Sequence, residues 1–207
     1  MAEEEKFNDP RTYDGRDPKI WMDGLKEMDI NNTRHILSLF GFLGIPESYL
    51  DVGCGTGVMV KIAKKLGVRA YGLDQLVDPT DKINWPDGFV HLNLVDYWKA
   101  PEPVDIVTCF EVAEHIHPSA HGTLCKTLCD NLKEGPKHYI IFSAARPGQI
   151  GAGHIADACR PAQYWHDQLI EHNVHYDREA TMNLALLWSN TRSNLDYMWN
   201  NLICFQR

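Results

Sequence analysis

No stretch of this chain approaches the length of a membrane span, and its opening Met-Ala-Glu-Glu-Glu-Lys-Phe-Asn-Asp-Pro lacks the basic-then-apolar layout of a secretory signal. A cytoplasmic protein with no membrane partner is the expectation. Paired CxxC spacings are also missing. The six cysteines, Cys54, Cys109, Cys125, Cys129, Cys159 and Cys204, fall partly on apolar strand or helix faces, which favours free, mostly buried thiols over a zinc site. Cationic excess is lacking too. Twenty Lys and Arg against 28 Asp and Glu leave a formal charge of −8, which opposes tight non-specific binding to a phosphate backbone, because such binding works by cations displacing counterions. Nucleic acid is thereby disfavoured without being excluded, since a local basic cleft can sit within an acidic surface. There is no internal repeat and no low-complexity tract.

What is present is the composition of an ordinary globular protein, 44% hydrophobic and 23% charged, in 207 residues. That length suits one domain over 1–207 with a full-sized core. Residues 1–18 are polar and broken by Pro10, Gly15 and Pro18, as in a flexible or draped arm. Within 19–44, Ile20, Trp21, Leu25 and Met28, then Ile36, Leu37, Leu39 and Phe40, predict two N-terminal helical stretches.

Beyond them, short β-like runs alternate with helical segments, the pattern of parallel strands joined by crossover helices. Strands are expected over 48–52, 69–73, 90–94, 104–110 and 138–144, with a helix over 58–66 after the first. Leu124, Leu128 and Leu132 mark a further helix, closed by Gly135 and Pro136. The C-terminal part reads as helix 161–172, short strand 174–176, helix 178–190 and final strand 201–206.

The most informative segment is Leu50-Asp51-Val52-Gly53-Cys54-Gly55-Thr56-Gly57. Glycines directly after an apolar strand let the backbone approach a ligand closely, with its amides and the next helix N-terminus aimed at polar groups. Such turns serve several cofactors. Asp51 precedes the first glycine, and Asp74 closes the second strand, where a carboxylate can accept both hydroxyls of a ribose.

With these two acids the chain resembles the class I S-adenosylmethionine-dependent methyltransferases, whose first motif looks like D-V-G-C-G-x-G. The resemblance continues through Val104-Asp105-Ile106-Val107-Thr108-Cys109-Phe110-Glu111-Val112-Ala113-Glu114-His115-Ile116, similar to the family's fourth motif with its E-V-x-E-H-I ending. It covers residues 36–144. It implies an α/β fold: a Rossmann-like three-layer sandwich whose mostly parallel seven-stranded sheet has an antiparallel final strand.

Carried over residue by residue, the resemblance implies S-adenosylmethionine as cofactor. Asp51, Gly53, Cys54, Gly55 and Gly57 would shape the pocket for its methionine part, and Asp74 would hold the ribose. Gln75, Asn93, Leu94 and Phe110 would lie around the adenine end, with Asp96 the rival of Asn93. Methyl transfer from a sulfonium needs an aligned nucleophile and a base for its proton. The candidates are His154, delivered by the glycine-rich run from Gly148 to Ile155, then His115 and Glu111 after the fourth strand. Glu114 is expected to steady that loop.

His154 and the following Tyr164-Trp165 resemble a G-H-x-N loop of some superfamily members, with Ala156 where an amide is expected. His115, His117 and His121 crowd together, but no partner is fixed by spacing, and no metal is expected. Tyr13, Trp21, Met22, Trp188, Tyr197 and Trp199 could form an aromatic lid over the acceptor.

The expected activity is methyl transfer to a small molecule or saccharide. Nucleic acid is second, and the Asn/Asp-Pro-Pro-Tyr motif of many base-modifying relatives is absent. Two alternatives stay open. A nicotinamide-dependent oxidoreductase shares Gly53, Gly55 and Asp74 but would need a third glycine where Val58 stands. A non-catalytic module would keep the cofactor pocket without transfer.

Overall fold

The computed structural model describes residues 18–149, 151, 153–190 and 196–207, and the side chains at 18–22, 27, 196 and 197 lie outside that description. The expected N-terminal arm and Tyr13 therefore fall outside it, as do the side chains of Trp21, Met22 and Tyr197. The chain forms helix α1 (Pro18–Leu43), then β1 (Ser48–Val52), α2 (Val58–Lys65), β2 (Arg69–Asp74), β3 (Phe89–His91) and β4 (Ile106–Phe110). It continues with α3 (His121–Asp130), β5 (Tyr139–Ser143), α4 (Ala162–Ile170), β6 (His175–Tyr176), α5 (Arg178–Ser189), α6 (Asp196–Asn201) and β7 (Ile203–Gln206).

The strands build one seven-stranded sheet in the order β3-β2-β1-β4-β5-β7-β6. β1 to β5 run parallel, and β7 inserts antiparallel between β5 and β6. Side chains alternate across the two faces, as the two-residue period of a strand requires. Along β5, Ile140 and Phe142 join the core under α3 and α4, while Ile141 joins the core under α1, α2 and α5. β7 repeats this, with Ile203 and Phe205 on one side and Cys204 on the other. Burial on both faces explains why these strands read as nearly continuous apolar runs. All six cysteines are free and buried. Among the described residues no helix is long and apolar enough to cross a membrane.

The helical region before β1 is one helix of 26 residues rather than two. The polar interval Asp29-Ile30-Asn31-Asn32-Thr33-Arg34 contains neither glycine nor proline, so it changes which face is apolar without breaking the backbone. Thr33 Oγ1 donates back to the Asp29 carbonyl at 2.7 Å, within the helix.

The third strand is also shorter than expected and shifted by one residue. Asn93 ends it by opening a turn: its carbonyl accepts from Asp96 N at 2.9 Å and its side-chain oxygen from Val95 N at 3.3 Å. At the other end of the chain, Asn201 closes α6, a short helix without a sequence signal, instead of starting the final strand. Trp188 is a core residue, fully buried and stacked on His35 with centroids 4.5 Å apart, so it does not belong to a lid.

Candidate active site

The chain runs from β1 to β2 and β3 on one side, then returns to place β4 on the other side of β1. This reversal opens a crevice at the carboxyl ends of the strands, where open α/β sheets bind ligands. A cavity lies there. Its floor is the β1–α2 loop, one wall carries Asp74, Gln75 and Leu76 after β2 with Asn93 and Leu94 after β3, and the opposite wall carries Phe110, Glu111, Val112 and His115 after β4. Leu25, Met28 and Asn32 of α1 close it from the N-terminal side.

The loop is held in shape by backbone and carboxylate together. Gly53 N and Cys54 N both donate to the Leu73 carbonyl, at 2.8 and 3.0 Å, and Gly55 N donates to Asp74 Oδ2 at 2.8 Å. Gly53 has φ 80°, and a Cβ built there would lie 2.2 Å from Val112 Cγ2. Glycine is therefore required twice over, by conformation and by the approach of the β4 loop. Thr56 Oγ1 donates to Asp29 Oδ1 at 2.5 Å, tying the loop to α1.

Two buried acids face the cavity from adjacent strand ends. Asp51 accepts from Thr108 Oγ1 at 2.7 Å, and that hydroxyl lies 2.6 Å from Tyr49 OH. Burial pushes the Asp51 carboxyl up to about 7, with the Thr108 bond opposing and the nearby Asp74 charge reinforcing the shift. Burial also raises Asp74, against the amides of Leu76 and Gly55. Its oxygens each hold one backbone donor, from Leu76 N at 2.9 Å and Gly55 N at 2.8 Å, which leaves lone pairs for further donors.

At the β4 end, Glu111 sits at φ 52°, with its amide donating to the Ser143 carbonyl at 2.9 Å. A non-glycine residue in that region marks a site the surrounding structure holds in place. Burial raises the Glu111 carboxyl and, more strongly, that of Glu114, which is fully buried and repelled by Glu111. His115 Nδ1 lies 2.9 Å from the Gly153 carbonyl.

Of the sequence-predicted cofactor residues, Asp51, Gly53, Cys54, Gly55, Asp74, Gln75, Asn93, Leu94 and Phe110 line this one cavity, while Gly57 does not. Gly57 instead precedes α2 at φ 72°, where a Cβ would meet Phe89 Cε1 at 2.5 Å. Asp96 is exposed and outside the lining. Glu111 and His115 line the cavity, and His154 stands behind His115, ring centroids 5.1 Å apart. The three clustered histidines of the sequence separate: His117 Nδ1 meets Ser119 at 2.9 Å, and His121 is buried with Nε2 2.9 Å from the Ile116 carbonyl. Sequence reasoning missed the contribution of α1 to the cavity, whose trace was the run of polar residues that interrupts the apolar face of an amphipathic helix.

A family model described as a methyltransferase domain matches residues 25–189, well over half of the chain. The ubiquinone biosynthesis O-methyltransferase of Paraburkholderia phytofirmans is 32% identical over 110 residues, covering 47% of this chain and 44% of that protein. The chain thus matches less than half the length of such curated relatives. Among solved structures, a TehB-like S-adenosylmethionine-dependent methyltransferase from Corynebacterium glutamicum aligns with TM-score 0.62 at 14% identity, over 92% of this chain and 97% of the other. The 1,6-didemethyltoxoflavin-N1-methyltransferase of Burkholderia thailandensis aligns with TM-score 0.56 at 19% identity, over 76% and 74% of the two chains. At such identities the structural likeness concerns the fold. The family match and the glycine loop between two strand-end acids agree, and the chain belongs to the methyltransferase-domain family, among the class I S-adenosylmethionine-dependent methyltransferases with a Rossmann-like fold.

Proposed function

We propose that this chain transfers a methyl group from S-adenosylmethionine to a small molecule or saccharide, with a hydroxyl the first acceptor group to test. The observation that carries this reading is the single cavity in which Asp51, the glycine loop and Asp74 meet Glu111 and His115. Asp51 suits the ammonium of the cofactor's amino-acid end, and Asp74 suits its ribose hydroxyls. Asn93 and Leu94 stand where the adenine end would lie.

In the step proposed, an acceptor lone pair attacks the methyl carbon as the carbon–sulfur bond breaks, and the bonding pair returns to sulfur to give S-adenosylhomocysteine. The acceptor's proton leaves to the Glu111–His115 corner of the cavity. The Gly153 carbonyl only accepts, so His115 Nδ1 carries hydrogen and Nε2 is the basic nitrogen of the neutral ring. His154 supports that corner from behind. The formal charge of −8 and the O-methyltransferase name of the curated relative both favour a small acceptor over a polyanion.

The test is an acceptor screen scored by S-adenosylhomocysteine release, using phenols, catechols, monosaccharides, and short DNA and RNA. Turnover on a phenol or sugar that His115→Ala lowers by about 100-fold, within the range of general-base loss, supports the reading. Turnover confined to nucleic acid contradicts it.

A further inference from the structure

Glu114, His115 and His154 converge beside the cavity: one carboxylate oxygen and one nitrogen from each imidazole all lie within 4.8 Å of one another. The two rings stand edge-on at 77° but are held in the same way. His115 Nδ1 meets the Gly153 carbonyl at 2.9 Å, and His154 Nδ1 meets the Gln149 carbonyl at 3.1 Å. Both Nδ1 atoms therefore donate, and each neutral ring keeps its lone pair on Nε2. This is the arrangement that fixes the tautomer and ring plane of metal-ligating histidines, through a backbone carbonyl on the far nitrogen.

Glu114 supplies the complementary observation. It is 0% exposed, and neither of its carboxylate oxygens makes a hydrogen bond of normal geometry, the Ala145 amide and the Glu111 carboxyl being the neighbours that act on it. A buried carboxylate left in that state is unfavourable unless a cation or proton compensates it. Its Oε1 lies 3.9 Å from His154 Nε2, too far for a hydrogen bond. A first-row divalent ion bonded at about 2.0–2.2 Å needs only small side-chain rotations to take both.

The backbone accommodates the arrangement as well. A Cβ at Gly151 would stand 2.2 Å from His154 Nε2, so the loop carries glycine where that ring packs. His115 belongs both to this cluster and to the cavity wall, and Glu111, close enough to raise the charge cost of Glu114, lines the same wall.

We propose that Glu114, His115 and His154 form a binding site for a first-row divalent transition cation at the edge of the cavity, with Glu111 as the adjoining carboxylate. Two imidazoles and one carboxylate suit Zn(II), Fe(II), Co(II) or Mn(II) better than Mg(II) or Ca(II), which favour all-oxygen sites. Three protein ligands leave coordination positions open. The cation's role rests on the methyltransferase reading: with the His115 Nε2 lone pair taken up by the cation, the cation would bind the acceptor hydroxyl, lower its pKa and fix its distance from the methyl group, and Glu111, on the same wall, would receive the proton. The cation's binding does not rest on that reading.

The test uses the full chain, freed of metal by a chelator and dialysed, then titrated with Co(II) by visible absorption, with Zn(II) as competitor and Mg(II) as comparison. Wild type is expected to give a Co(II) ligand-field band that Zn(II) removes. Glu114→Gln and His154→Asn should weaken Co(II) binding by about 100-fold, at or above what loss of a supporting hydrogen bond costs. Gly151→Ala, which displaces His154 without touching a ligand, should weaken it by about tenfold on the same scale. His117→Ala should bind as wild type does. Circular dichroism accompanies each variant, and Gly151→Ala keeps the test decisive if Glu114→Gln does not fold. No Co(II) or Zn(II) binding by wild type, unchanged binding in the variants, or preference for Mg(II) overturns the proposal. Calorimetry with S-adenosylmethionine on the same preparations separates the two readings: cofactor binding without cation binding overturns the site alone, and the reverse overturns the methyltransferase reading alone.

Discussion

The buried Asp51 has consequences that pH can reveal. Burial pushes its carboxyl up to about 7, far above the ordinary carboxylate range, so between about pH 4 and 7 the folded chain holds a proton that the unfolded chain has lost. Stability from this group is complete below that window and falls as pH rises through it. Asp51→Asn should therefore stabilise the cofactor-free chain by about 1–3 kcal/mol at about pH 8 and by about a third as much at about pH 5, read from urea unfolding midpoints. Equal shifts at both pH values would contradict this. An ammonium group bound beside Asp51 favours its charged form, so S-adenosylmethionine binding near pH 6 should release a proton, detected by calorimetry in buffers of different ionisation enthalpy. Asp51 and Asp74 were legible in the sequence because each sits where an apolar strand stops. His154 was legible only as a histidine in a glycine-rich loop. Its meeting with Glu114 depends on how the loops after β4 and β5 fold against each other, with Ile155 N donating to the Glu114 carbonyl at 2.9 Å, and no local pattern encodes that approach.

Among the elements, the β1–α2 loop and α1 behave as one unit. Gly53→Ala places a methyl against Val112 and forces a side chain to φ 80°, which should cost about 1–3 kcal/mol in urea unfolding and abolish saturable cofactor binding. A substitution without measurable cost would show that the loop adapts. Removing the Thr56 tether with Asp29→Ala should leave the fold intact and weaken S-adenosylmethionine binding by about tenfold or less, as loss of one hydrogen bond to a charged group implies. Unchanged affinity would confine α1 to a packing role. The parallel strands were readable because burial on both faces leaves little but apolar residues in them. The helices were less so where polar residues serve the cavity: α1 looked broken since Asp29 and Asn32 serve the loop and the cavity instead of the core. α6 gave no signal because six residues are too few to show a helical period.

At the scale of the molecule, the sheet acts as a platform whose strand order sets the crevice between β1 and β4, and the proposed chemistry lies on the loops there. Sequence motifs covered the half of the sheet that holds the cavity. β7, inserted antiparallel between β5 and β6, could be anticipated only through resemblance, since strand order is a long-range property that periodicity does not record. The acceptor was the least legible part, because it is chosen by loops that meet only in the fold. On the proposed reading this crevice binds S-adenosylmethionine through its two strand-end acids, and calorimetric titration tests that binding most directly. The wild-type chain should bind S-adenosylmethionine saturably and NAD weakly or not at all. Asp74→Ala should weaken the cofactor by about 100-fold, as expected for hydrogen bonds from two hydroxyls to a buried carboxylate. No binding of S-adenosylmethionine, preference for NAD, or an Asp74→Ala variant that binds as tightly as wild type would contradict the account.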